Sequence, residues 1–286
     1  MTPLKLFYAM TYRRDPSQRT DEHWGNFGDE LSPLVLAHVT GRKVEYADPR
    51  SCNVIAIGSL LDKFSLYRLS QSLQYQRWWP SKLQVWGSGF MLPQTKMKRK
   101  GLIVHAVRGP LSQKNLPHKF HNQEMPFGDP GIFANELLTE TPEKKWKVGI
   151  LPHYVDRDNP NLLTLLKANS DFRLINIWAH PKKVLTEIAS CESLFSSSLH
   201  GLIAADSLGV PNRWLKLSQK VGGGDFKFRD YCAGIDKPPP LPLELDHQTI
   251  DQKIIEATIN DFHPGQLEEA KKKLRTAAAN LSNFGS

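Results

Sequence analysis

A chain of 286 residues, with 40% hydrophobic and 23% charged residues, has the composition of a globular protein that buries one or two cores, which excludes disorder as its ground state. Its formal charge of +8 favours anionic partners, among them phosphorylated metabolites, lipid-linked pyrophosphates and the cytoplasmic leaflet of a membrane. Three cysteines, Cys52, Cys191 and Cys232, form no C-x-x-C pair, so neither a disulfide framework nor a structural zinc site is indicated.

In chain order, short apolar runs alternate with helical stretches. The first half offers Lys5–Met10, a helix over Asp29–Val39, then Lys43–Ala47, Asn53–Leu61, Leu83–Gly89 and Gly101–Arg108. Continuous apolar runs that stop in Gly, Ser or Arg are the pattern of parallel strands covered on both faces. Phe127 to Gly131 forms a turn, and a short helix follows through Leu138. The polar, proline-containing segment Thr139–Lys145 predicts a boundary, with residues 1–141 and 142–286 as two Rossmann-like domains. Alternation restarts with a strand at Lys147–Tyr154, a helix over Pro160–Ala168, a strand at Phe172–Trp178 and a helix over Pro181–Ala189. A strand at Ser193–Ser197, a helix from His200 to Leu208 and a strand at Asn212–Leu217 complete it. Pro238 to Pro242 is a stiff connector, and Asp251–Phe262 and Gln266–Phe284 read as closing amphipathic helices. No apolar run reaches the roughly 18–20 residues that cross a bilayer. Met1 to Met10 lack a charged segment leading into a long apolar stretch, so a cytoplasmic location is expected, with room for peripheral contact with the inner-membrane surface.

An α/β chain of this kind holds ligands in the crevice outside the carboxyl ends of its strands. In Ser196-Ser-Ser-Leu-His-Gly201 an apolar run stops in hydroxyls and a helix begins at once, a ready seat for phosphate or carboxylate with His200 at its centre. Arg108 follows a buried-looking strand, where its planar fork suits either a bound anion or a domain-bridging ion pair. Asn26 and Asp29 flank Gly28 ahead of the first helix, where Asp29 serves equally well as a cap. Asp129 lies in the turn Gly128-Asp-Pro-Gly131, and His153 follows a strand. Lys227 and Arg229 lie in the charge–aromatic alternation Asp225–Tyr231, which suits a binding segment, an edge strand or a solvated loop. Trp78-Trp79-Pro80 offers an aromatic platform for sugar or membrane. Lys96, Lys98, Arg99 and Lys100 form a solvated basic loop, without the aromatic interleaving of a nucleic-acid site. Serine-hydrolase, P-loop, zincin and dinucleotide-binding motifs are absent, and no D-x-D pair marks a nucleotide-sugar metal site.

Taken in order, eight short motifs resemble the polysaccharide pyruvyl transferase family in its exopolysaccharide branch. They are Asn26-x-Gly28-Asp29, Gly58-Ser59, Trp86-Gly-Ser-Gly89, Ala106-Val-Arg-Gly-Pro110, Gly128-Asp-Pro-Gly131, Pro152-His153, Ser197-Ser-Leu-His-Gly201 and Phe226-Lys-Phe-x-Asp-Tyr231. The resemblance implies a GT-B-like fold, two Rossmann-like domains facing a central cleft, with the acceptor on the N-terminal side. It implies transfer of a pyruvyl group from phosphoenolpyruvate, a co-substrate, to two hydroxyls of a lipid-linked or oligosaccharide acceptor, with no metal or other cofactor. On that reading His200 is general acid or phosphate partner, and Arg108 and Lys227 bind the anion. Ser197, Ser198, Leu199 and Gly201 seat the phosphate, and Asp29 or His153 serves as acceptor-side base or positioning group. Asn26, Gly28, Ser88 and Asp129 hold the glycan. Ser198 stands where many relatives carry an arginine, which shifts the burden of charge to Arg108, Lys227 or Arg229. A nucleotide-sugar glycosyltransferase and a non-catalytic glycan-binding subunit are the alternatives.

Overall fold

The computed structural model describes residues 2–10, 17, 19–65, 82–245 and 249–281, so Trp78-Trp79-Pro80 lies outside the described residues. The first half runs β1 (Leu4–Phe7), α1 (Phe27–Thr40), β2 (Val44–Tyr46), β3 (Val54–Ile55), β4 (Leu83–Trp86), β5 (Leu102–Ala106) and α2 (Pro110–Gln113), then a 3-10 helix at Pro130–Leu137. The second half runs β6 (Trp146–Leu151), α3 (Pro160–Ala168), β7 (Phe172–Leu174), α4 (Pro181–Ala189), β8 (Cys191–Ser196), α5 (Leu199–Ser207), β9 (Asn212–Lys216), α6 (Phe226–Gly234), β10 (Leu243–Glu244), α7 (Gln252–Asn260) and α8 (Leu267–Ala278).

Local chemistry sets the helix starts. Asn26 caps α1, and Gly41 in the left-handed conformation ends it. Asn159 and His180 cap α3 and α4, and each is followed by proline at the first helical position, whose missing N–H would have had no partner there.

The strands form two five-stranded sheets, ordered β2-β1-β3-β4-β5 and β10-β9-β8-β6-β7, and every pairing between these strands is parallel. Both sheets are doubly wound. In the first, β1 leads through α1 to β2 on one side while β3 pairs on the other; in the second, β6 leads to β7 on one side and pairs with β8 on the other. Each order reversal opens a crevice at the strand ends. These crevices lie beyond β1 and β3, and beyond β6 and β8.

Late elements bind the two sheets together. Helix α8 returns to the first sheet, where Trp86 Nε1 donates to the Leu274 carbonyl at 2.9 Å and Arg275 pairs with Glu136 at 2.7 Å. One apolar core accordingly includes Leu4 and Trp86 as well as Leu194 and Leu274. Two sequence expectations change here. Asp225–Tyr231 is neither strand nor loop: most of it lies in α6, because Lys227, Phe228, Asp230 and Tyr231 fall on one buried helical face. The basic loop is only partly solvated, since Met97 and Arg99 are buried and Lys96 Nζ donates to Asn115 Oδ1 at 2.6 Å. All three cysteines are unpaired and buried, and burial pushes each thiol up to about 12, which leaves them unreactive. Among the described residues no helix is long and apolar enough to cross a membrane.

Candidate active site

A cavity of about 210 Å³ lies where the two switch points meet. Ala9, Gly58 and Ser59 line it from beyond β1 and β3, and His153, Ser198 and His200 from beyond β6 and β8. Asn26 enters from the cap and Asp29 from the first turn of α1, and Lys227 from the first turn of α6. Nine residues singled out in the sequence thus share one wall system: Asn26, Asp29, Gly58, Ser59, His153, Ser198, Leu199, His200 and Lys227.

The N-terminus of α5 points its dipole at this space. Ser198 occupies the cap position, yet its hydroxyl makes no cap bond, so the hydroxyl and the Leu199 and His200 amides are available to an anion, while the Gly201 amide donates to the Ser198 carbonyl. Lys227 is 7% exposed and makes no hydrogen bond among the described residues; its Nζ lies 5.4 Å from the centre of the Phe228 ring. Burial and the Arg108 charge hold its ammonium down at about 8, against the opposite pull of Asp29.

Burial also sets the charges of the other groups. It pushes the Asp29 carboxyl up to about 8, helped by Glu30 and opposed by Lys63 and Lys227, so Asp29 carries a proton at pH 7. It holds His200 down at about 3, with the positive charges of Lys227 and Arg108, and of His153 once that ring is protonated in acid, adding to the effect. His153 falls to about 4 through burial and Lys227. Both imidazoles are neutral at pH 7.

His200 packs edge-on against α1, where position 28 has no side chain. A Cβ at Gly28 would sit 1.9 Å from His200 Nδ1. Gly28→Ala is therefore expected to displace the ring and lower kcat roughly 10²-fold, the order of loss that a 1 Å misplacement brings, while a cooperative melt, lowered by only the ~1–3 kcal/mol of overpacking, is the control for folding. Gly201 performs a similar service for α5, since a Cβ there would meet Ser196 Oγ and Leu151.

Several predicted residues take supporting positions. Arg108 is fully buried: Nε donates to Asp230 Oδ2 at 3.0 Å, Nη1 to Ser59 Oγ at 2.6 Å and Nη2 to the Phe90 carbonyl at 2.6 Å. It is the bridging ion pair, with each guanidinium nitrogen engaged by the protein and Ser59 between it and the cavity. Ser88 is buried with its hydroxyl on the Gly58 carbonyl at 2.8 Å, shaping the loop. Ser197 Oγ accepts from the His153 amide at 2.7 Å, which locks the two strand ends together. Arg229 is exposed and pairs with Asp225 at 3.5 Å. Asp129 is buried behind His200. Tyr154 was not anticipated: its ring is 39% exposed at the cavity, with its centre 4.2 Å from that of His153. An aromatic next to a post-strand histidine was the only signal for it. Among the described residues no three His, Cys, Asp or Glu side chains are grouped to hold a metal ion.

Two doubly wound parallel sheets with a polar cavity at their shared switch points define a two-sheet, Rossmann-like α/β protein. Residues 12–218 match the polysaccharide pyruvyl transferase family, and the chain belongs to it. An uncharacterized protein of Acanthamoeba polyphaga mimivirus is 32% identical over 158 residues, 53% of this chain and 55% of that protein. The succinoglycan biosynthesis protein ExoV of Rhizobium meliloti is 24% identical over 227 residues, 77% of this chain and 65% of that protein. The chain thus spans between about half and two thirds of the length of these relatives.

Proposed function

We propose that this protein is a GT-B-like ketal pyruvyltransferase that moves a pyruvyl group from phosphoenolpyruvate onto two hydroxyls of one sugar of a cell-surface glycan precursor, releasing phosphate. One observation carries the reading. A single small cavity pairs an uncapped helix N-terminus and Lys227, which suit an anion, with two groups uncharged at pH 7, Asp29 and His200. Family membership supports pyruvyl transfer, and the similarity to a succinoglycan biosynthesis protein supports a polysaccharide acceptor.

The protonation states favour a division of labour opposite to the one suggested by the motifs alone. Asp29 holds the proton that the methylene carbon of phosphoenolpyruvate must gain. Neutral His200 has a lone pair for the proton of the attacking sugar hydroxyl. The carbon–oxygen bond to phosphate then breaks, the phosphate departs with the proton of the second hydroxyl, and that hydroxyl closes the ketal. Lys227 and the α5 amides stabilise the charge on the carboxylate and phosphate throughout. The Tyr154 ring offers the acceptor sugar an apolar face. A cytoplasmic site of action, where phosphoenolpyruvate is made, fits this chemistry.

Calorimetric titration with phosphoenolpyruvate and with a panel of nucleotide sugars tests the reading, followed by phosphate release and product mass with candidate glycans. Saturable binding of phosphoenolpyruvate is expected, and saturation by a nucleotide sugar alone overturns it. That second outcome has a structural basis in the neighbouring cavity of about 740 Å³ between Ser197 and Gly222–Gly224, roomy enough for a nucleotide. Lys227→Met is expected to raise KM for phosphoenolpyruvate about 10- to 100-fold with little change in kcat, the loss of one charged hydrogen bond.

A further inference from the structure

Asp129 was expected to touch the acceptor; its carboxylate is fully buried and does not line the cavity. One oxygen, Oδ1, accepts from the Gly131 amide at 2.9 Å and so caps the 3-10 helix Pro130–Leu137. The other, Oδ2, has no hydrogen-bond partner, and it lies 3.8 Å from His200 Nε2, which has none either. Buried polar atoms without partners are costly, and two that face each other across slightly more than hydrogen-bond distance are satisfied together by a small turn of the ring. On the other side of the imidazole, Nδ1 faces the bare Cα of Gly28. The ring thus has a carboxylate oxygen beside one nitrogen and a carbon, which can accept nothing, beside the other, an arrangement that distinguishes the two.

We propose that Asp129 is the positioning residue for His200. Its Oδ2 accepts the Nε2 proton, fixes the imidazole in the Nε2–H tautomer and leaves the lone pair on Nδ1 for the sugar hydroxyl. The proposal rests on reading His200 as the base of pyruvyl transfer, and it assigns to a carboxylate outside the cavity the orienting part that such groups play behind catalytic histidines. A catalytic hydrogen bond tightens as the reacting complex forms, and 3.8 Å is within reach of such a contact.

The test has two arms. In the ligand-free protein, long-range nitrogen–proton NMR of the imidazoles reports the His200 tautomer directly, and Nε2–H is expected. Asp129→Asn keeps an oxygen for the Gly131 amide, so it turns its NH₂ toward Nε2 and is expected to switch the ring to Nδ1–H. A wild-type ring found in the Nδ1–H form, or a tautomer unchanged in Asp129→Asn, overturns the proposal. In turnover with phosphoenolpyruvate, Asp129→Asn is expected to lower kcat about 10²- to 10⁴-fold with KM for phosphoenolpyruvate nearly unchanged. An undiminished kcat also overturns it. Absence of turnover in the wild-type protein overturns the reading of function, while the NMR arm still decides the tautomer.

Discussion

Asp29→Asn is expected to lower kcat roughly 10²- to 10⁴-fold, the range that general acid catalysis contributes, without weakening the fold. The reason is where the proton sits. Burial raises the Asp29 carboxyl to about 8, so the acid form predominates at pH 7 and is lost as pH rises through about 8. In the wild-type protein kcat/KM should therefore fall on the alkaline side, near that value. Lys227, held at about 8, titrates on the same limb, so the apparent constant belongs to the pair. The variant separates them: Asp29→Asn removes the Asp29 part, and what is left of the limb then reports on anion binding. His200, held at about 3, adds no acid limb near neutrality. A bound anion raises both carboxyl and imidazole, so the alkaline limb of kcat should lie above that of kcat/KM.

Stability gives the control. A carboxyl whose folded pKa is raised stabilises the fold only while it is protonated in both states, so its contribution declines as pH rises from about 4 to about 8. Asn at position 29 escapes that decline. The variant should melt at or above the wild-type temperature at pH 7 and melt no higher at pH 4. A large loss of stability at pH 7 would mark Asp29 as structural.

Asp230→Ala is expected to destabilise the protein by about 3–5 kcal/mol, the cost of leaving one member of a buried ion pair alone. Asp230 and Arg108 are both fully buried. Asp230 accepts from Arg108 Nε at 3.0 Å, from the Ser112 amide at 2.9 Å and from the Ser112 hydroxyl at 2.5 Å. Removing it strands a buried guanidinium and hydroxyl at the contact where α6 crosses to the first sheet. Backbone packing there is tight, since a Cβ at Gly234 would meet the Arg108 carbonyl and one at Gly109 would meet the Asp230 carbonyl. Chemical denaturation measures the loss. Arg108→Leu with Asp230→Leu should recover much of it, because an apolar pair of similar volume carries no desolvation cost. Were Arg108 a direct ligand clamp, its lysine variant would instead raise KM while leaving the denaturation midpoint in place.

Local chemistry made much of the fold legible. Helices α3 and α4 begin and end where the pattern of cap, proline and apolar spacing predicts, Pro160–Ala168 and Pro181–Ala189, because those signals lie within the segments themselves. The strand ends were legible for the same reason: an apolar run that stops in Gly, Ser or His is visible one residue at a time. That sufficed to bring His153, Ser198 and His200 into one list, since every strand end of a doubly wound sheet points to the same rim.

Partner identity was beyond the sequence. Arg108 could bind an anion or an ion-pair partner, and what decides is Asp230, 122 residues away on a helix that crosses to the other sheet. Asp129 and His200 come from the two different halves of the chain, and neither motif names the other. The α6 segment alternates charge with aromatics, which suits a strand until its neighbours bury Lys227, Phe228, Asp230 and Tyr231 together. Asp29 is an ordinary cap residue by sequence and an uncharged acid in the fold, because its pKa depends on the water that the assembled cleft removes. The sequence by itself determined which segments form strands and helices and which residues stand at their ends, since those preferences act over a few residues. Only the tertiary structure decided which of those residues meet, which are buried and which keep a proton, since contact and dielectric are properties of segments brought together from far apart in the chain.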